Sequence, residues 1–129
     1  MAKRSRRQKE LSAPQGPQAV RKREAMRIQE ILEEFRQEVQ KIYGPRLRDI
    51  ILYGSWARGD ATEESDIDLL IILAGEVVPG QEIDRMVDVI TDINLKYGEL
   101  ISVYPTSEAD FINVNSPLLI NVRREGIPA

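Results

Sequence analysis

Ile50-Ile51-Leu52-Tyr53-Gly54-Ser55-Trp56-Ala57-Arg58 and Asp66-Ile67-Asp68-Leu69-Leu70-Ile71-Ile72-Leu73, with ten residues between Ser55 and Asp66, are the stretches that decide the fold. The first opens as a short β-branched and aromatic run that stops at a glycine, which is how a buried strand enters a turn. Gly54 lets the backbone come close to a ligand, and Ser55 supplies a hydroxyl. Trp56-Ala57-Arg58 can open a helix whose unpaired N–H groups favour an anion, with phosphate the obvious one. The second stretch starts with strict alternation and ends as a continuous apolar run, so Asp66–Leu73 reads as a second strand, buried over most of its length. On such a strand Asp66 and Asp68 point to one face. Their Cα atoms would be roughly 6.5 to 7 Å apart, close enough for both carboxylates to reach one hard cation or a pair of them. The structural alternative makes Gly54 an ordinary strand terminator and the two aspartates an exposed strand start. Against it, a shuffle of this composition reproduces the spacing only about once in several hundred trials.

What the chain lacks narrows the chemistry further. It has no His and no Cys, which removes thiol nucleophiles, imidazole bases, Ser-His triads and any His or Cys zinc site. Carboxylates are left to do the work. All-oxygen ligation points to Mg2+ (or Mn2+), which commonly sits on one or two carboxylates plus substrate phosphates. Absent cysteine fits a reducing interior, and no apolar run approaches a signal segment or a membrane span. The expectation is a soluble, cytoplasmic protein.

The 129 residues, 42% of them hydrophobic, suffice for one modest core and not for a second substrate domain. Charge divides the chain unevenly. Residues 1–27 hold nine Lys and Arg against Glu10 and Glu24, a charge of +7, whereas the rest holds nine basic against nineteen acidic residues, a charge of −10. Residues 1–24 are therefore expected to form a basic, disordered arm, broken by Pro14, Gly16 and Pro17, and residues 25–129 the folded domain. Lys3, Arg4, Arg6, Arg7, Lys9, Arg21, Lys22 and Arg23 could contact RNA phosphates or an acidic partner surface. A solvated tail is the alternative, since no aromatic residue is interleaved for base stacking.

Around the two strands the remaining elements fall into place. Ile28, Ile31, Leu32, Phe35, Val39, Ile42 and Tyr43 follow a helical spacing that ends near Gly44-Pro45. Ile83, Met86, Val87, Ile90 and Ile93 give another helical stripe up to Gly98, and Leu100–Tyr104 reads as a third strand. Thr106-Ser107 with Asp110 resembles a capping box, Ser116-Pro117 starts a last helix, and Gly126 closes it. The result is a small α/β (α+β) domain, a mixed sheet of about three to four strands flanked by helices.

With that context in place, Gly54-Ser55-Trp56-Ala57-Arg58-Gly59-Asp60 followed by Ser65-Asp66-Ile67-Asp68-Leu69 strongly resembles the minimal nucleotidyltransferases of the polymerase β superfamily. The motif covers roughly residues 48–73. A looser likeness runs from Ile28 to the Asn121-Val122-Arg123-Arg124-Glu125-Gly126 tail. The resemblance implies a polymerase β-like fold in which Gly54 and Ser55 hold the triphosphate of ATP, Asp66 and Asp68 bind magnesium, and Arg58 stands near the phosphates. A third carboxylate commonly stands on the strand after the second helix in such enzymes. Here that strand reads Glu99-Leu100-Ile101-Ser102-Val103-Tyr104, in which Ser102 or Ile101 falls near the expected position and Glu99 is the nearby acid and candidate catalytic base: either Glu99 reaches in, a partner completes the site, or turnover is weak. Small stand-alone members are often encoded beside a helical HEPN-type protein, and some act as antitoxins that transfer AMP from ATP to a tyrosine of that toxin. The resemblance thus implies a HEPN-type partner. The alternatives are a module that neutralises a partner by contact alone, or transfer to RNA or a small molecule.

Overall fold

The computed structural model of the protein describes residues 17–129, with side chains from residue 23 onward. The first helix, α1, spans Pro17–Tyr43 and so begins well upstream of the apolar stripe that signals it. Its opening Pro-Gln-Ala-Val-Arg-Lys-Arg-Glu-Ala-Met is built from good helix formers behind a proline suited to a first turn, so propensity extends the helix beyond its amphipathic part. Helix α1 runs through the expected boundary at residue 24. Residues 1–16 of the basic arm lie outside the described residues. The described chain divides inside α1, between Glu30 and Ile31, and the sheet and all later elements belong to Ile31–Ala129.

Beyond α1 a short 3-10 turn, Gly44–Arg46, leads into β1, Leu47–Tyr53. A single helical turn, α2 (Ser55–Arg58), follows Gly54, and β2 occupies Ile67–Leu73. Helix α3 (Pro79–Tyr97) then leads to β3 (Ile101–Ser107), α4 (Glu108–Asn113), α5 (Pro117–Glu125) and a two-residue strand, β4, Ile127–Pro128. The four strands lie in the order β3-β2-β1-β4. β1 is antiparallel to β2 and to β4, while β2 and β3 are parallel and joined through α3, as a parallel pair requires a crossover. The expected mixed sheet flanked by helices is what forms.

Alternation along β2 assigns its side chains to two faces. Leu70 and Ile72 form one cluster with Leu119 and Val122 of α5, flanked by Ile51, Tyr53, Phe111 and Leu118. Ile67, Leu69, Ile71 and Leu73 point the other way and are almost fully buried, as are Ile31, Phe35 and Val39 of α1 and Met86 and Ile93 of α3. Polar links fix α1 against α3. The Tyr43 hydroxyl donates to the buried Glu82 carboxylate at 2.9 Å, and Lys96 and Tyr97 both donate to Glu34, at 2.9 and 2.8 Å. With helices on both faces, the sheet is the middle of three layers.

Two strand boundaries differ from expectation. β3 reaches Ser107 rather than stopping at Tyr104, because its ladder with β2 continues through Pro105 to Leu73↔Ser107. A proline is tolerated there because β3 is the sheet's edge and has one side without a neighbour to bond. Ser107 then serves two elements, ending the strand and capping α4, where its Oγ accepts the Asp110 N–H at 3.0 Å. The second difference concerns Asp66, which lies just before β2. Antiparallel pairing with β1 runs out at Tyr53↔Asp68, since Gly54 turns the chain away into α2, and Asp66 has no strand opposite it.

Candidate active site

Gly54 is the pivot. Its φ of 76° and ψ of −154° belong to a region open essentially to glycine alone. The space around it is equally restrictive, because a Cβ at this position would stand 2.3 Å from Oδ2 of Asp68 and 3.2 Å from its Cγ. The turn and the second aspartate are thus in contact. Strand register brings this about, since Tyr53, the last residue of β1, is paired directly with Asp68 and the residue after it therefore folds over the carboxylate.

Helix α2 begins with the amides of Ser55 and Trp56, ahead of its first internal bonds from Ala57 and Arg58 to the Gly54 carbonyl at 3.1 and 3.0 Å. Gly59 closes the turn in the left-handed region, its N–H donating to the Ser55 carbonyl at 2.9 Å. The loop that follows is tied down as well. Ser65 Oγ accepts the Thr62 N–H at 2.9 Å, and the Trp56 indole N–H reaches the Ser65 carbonyl at 3.5 Å. These contacts brace the residue that immediately precedes Asp66.

Burial pushes the Asp68 carboxyl above its ordinary value, the negative charge of Asp66 adds to the shift, and the Arg58 guanidinium opposes it. The two carboxylates and the guanidinium therefore share one electrostatic neighbourhood. Tyr53, across the ladder from Asp68, is pushed up to about 12 by burial and then by the charges of Asp68 and Tyr104. Two acids of like charge beside a turn with open amides make a donor set of hard oxygens, suited to a divalent cation and a phosphate chain together. Asp66 and Asp68 fit that role.

Arg58 is held from two sides. Its Nε donates to Asp60 Oδ2 at 3.3 Å and its Nη1 to Glu125 Oε2 at 3.0 Å, and these two bonds raise its proton affinity, the one from Glu125 most. The Asp60 contact is local, two residues along the chain. The Glu125 contact was not legible in the sequence, because it joins residues 67 positions apart. Tyr53 and Trp56 were likewise missed as site residues. Only the strand register could have placed Tyr53 opposite Asp68.

Ser102 is the register partner of Asp68 on β3 and is exposed, so a serine occupies the place beside the second aspartate. Glu99 sits two residues ahead of β3 and is half-buried. Among the described residues, no group of three acidic side chains has the spacing to hold a metal ion. The structure thus brings together Gly54, Ser55, Arg58, Asp66 and Asp68.

Comparison with known proteins agrees with this arrangement. Residues 28–118 match the nucleotidyltransferase domain family. "Putative protein adenylyltransferase MJ0604" of Methanocaldococcus jannaschii is 40% identical over 102 residues, covering 78% of this chain and 96% of that protein. "Putative protein adenylyltransferase MJ0141" of the same organism is 40% identical over 77 residues, covering 60% and 77%. Among solved structures, that of a toxin-antitoxin with AMP-PNP superimposes with a TM-score of 0.53 at 17% identity, over 74% of this chain and 70% of that one, a likeness of fold. A Gly-Ser turn lying on an aspartate of the neighbouring strand, inside a matched region that takes in most of the sheet, leads to one conclusion: this chain belongs to the nucleotidyltransferase domain family and is a minimal nucleotidyltransferase.

Proposed function

We propose that the protein transfers AMP from ATP, with Mg2+ or Mn2+, to a tyrosine hydroxyl of a helical HEPN-type toxin, and thereby acts as its antitoxin. The observation that carries the reading is the contact between the Gly54 turn and the Asp68 carboxylate. It sets the start of α2 beside the carboxylate, where a phosphate chain and its counter-cation would lie side by side. Support for a protein acceptor comes from the relatives named as protein adenylyltransferases, and support for a toxin partner from the fold shared with a toxin-antitoxin structure containing AMP-PNP.

In this reading the amides of Ser55 and Trp56 and the Ser55 hydroxyl receive phosphate oxygens, Arg58 adds a positive charge beside them, and Asp66 with Asp68 would hold the cation. A bound divalent ion supplies neutralisation of the triphosphate and of charge developing at the α-phosphorus. The acceptor hydroxyl oxygen forms the new bond to the α-phosphorus as the bond to the β-phosphate oxygen breaks, and pyrophosphate departs. The hydroxyl proton needs a base. A serine is ineffective in that role at neutral pH, so Ser102 is set aside and Glu99, at the entrance of β3, is assigned to it.

The test uses ATP labelled at the α-phosphate, magnesium and the partner. Wild type should label the partner, Asp66→Asn and Asp68→Asn should each lose on the order of a hundredfold or more in rate, and chelation should abolish labelling. Glu99→Gln in the same assay reads out the base. A second reading, neutralisation by contact alone, is favoured by the serine beside Asp68 and by the lack of a third grouped acid among the described residues. Partner inhibition that survives in Asp68→Asn, with no label transferred by wild type, would establish that second reading and sink the first.

A further inference from the structure

The pair between Arg58 and Glu125 ties the phosphate turn to the far end of the chain, and the local physics of α5 argues against its being incidental. Glu125 is the last residue of α5, where the negative end of the helix dipole disfavours a carboxylate and favours cations such as the neighbouring Arg123 and Arg124. The side chains of Arg58 and Glu125 are 48% and 30% exposed, and ion pairs so open to water contribute little to stability. Neither helix stability nor fold stability accounts for this acid at this position.

Its placement, by contrast, is closely controlled. Immediately after it, Gly126 packs so tightly that a Cβ would come within 2.5 Å of Ile51 Cγ2 and 2.6 Å of the Val122 carbonyl oxygen. β4 then pairs with β1 through Ile51↔Pro128 and Leu52↔Ile127, and the Ala129 N–H donates to the Ile50 carbonyl at 2.9 Å. These contacts fasten the end of α5 to β1, the strand that leads into Gly54. Arg58 in turn has its Nε on Asp60 and its Nη1 on Glu125, which leaves Nη2 without a protein partner among the described residues.

We propose that Glu125 is a positioning residue for nucleotide binding, which holds Arg58 with Nη2 available to a phosphate of the incoming triphosphate. The inference rests on the nucleotide-binding reading of the Gly54 site given above. A long arginine side chain that is already ordered loses less freedom when it meets its ligand, so the acid at residue 125 acts through Arg58 rather than on the nucleotide. The electrostatic influence of Arg58 on Asp68 is in keeping with a guanidinium standing beside the turn.

The test is ATP binding by calorimetry with magnesium, on full-length protein, together with the KM and kcat of partner labelling. Glu125→Ala should weaken ATP binding and raise KM about three- to tenfold, with kcat changed by less than about twofold. Glu125→Gln keeps an oxygen that can accept the Nη1 hydrogen bond and should stay within about twofold of wild type. In an Arg58→Ala background, Glu125→Ala should have no further effect, because the two act as one unit. Unchanged or tighter ATP binding in Glu125→Ala, a Gln variant as impaired as Ala, or additive losses in the double variant would each overturn the proposal. Wild type that binds no ATP would instead overturn the reading of the site itself, which keeps the two failures apart.

Discussion

At the scale of single residues, Gly54 and Asp68 are one device built from two distant sequence signals. The glycine was legible as a turn that admits close approach, and the aspartate as an acid on a buried strand. What the sequence did not reveal is that each occupies the space the other leaves. Gly54→Ala therefore meets two penalties, a positive φ disfavoured for residues with a Cβ and an overlap with Asp68 Oδ2 at 2.3 Å. The strain alone costs about 1–3 kcal/mol. We expect a lower Tm and loss of ATP binding by calorimetry, and an alanine variant that melts and binds like wild type would show the turn to be more pliable than its geometry implies. The exposed Ser102 belongs at this scale too. Its position near the expected third acid could be counted from the sequence, but its pairing with Asp68 came from the parallel register of β2 and β3.

At the scale of elements, local chemistry was a dependable guide wherever it was self-contained. Ser107 and Ser116 cap α4 and α5 by accepting the Asp110 and Leu119 N–H groups, at 3.0 and 3.2 Å, as the Ser-led sequences indicate. The helical stripe at Ile83, Met86, Val87, Ile90 and Ile93 became α3 and ended at Gly98 in the left-handed region. Elements that depend on a partner were less legible. β4 is two residues long and contains a proline, so nothing in Ile127-Pro128 announces a strand, and it exists because β1 offers a free edge. Gly126 is the joint that lets it dock. Because its φ of −69° suits any residue, Gly126→Ala tests packing alone. The added methyl would overlap Ile51 and the Val122 carbonyl, and we expect a loss of about 1–3 kcal/mol in denaturant unfolding, as is usual for overpacking. No loss would mean that the C-terminal segment shifts at little cost.

At the scale of the whole molecule, the uneven charge seen in the sequence remains, with the acidic body carrying few basic residues and using several of them in specific pairs. Glu34 on α1 receives Lys96 and Tyr97 from α3, and these hydrogen bonds, Lys96 first, lower its pKa from the ordinary 4.5. Since the folded value is the lower one, this pair contributes stability above pH 4.5, and the contribution disappears as pH falls through the folded value. Glu34→Gln should therefore melt below wild type near neutral pH and converge with it in acid. Melting curves from about pH 7 down into acid check this, and a gap that stays constant however far the pH falls would assign the effect to packing. No helix among the described residues is long and apolar enough to cross a membrane. By itself the sequence determined the helices, the caps, the strand that bears Asp68, and a chemistry restricted to carboxylates, because periodicity, propensity and residue type act over a few neighbours. Only the tertiary structure decided that Asp66 stands just outside β2, that Gly54 lies on the Asp68 carboxylate, and that Glu125 pairs with Arg58. Each of those depends on strand register or on contacts across dozens of residues, which no local pattern encodes.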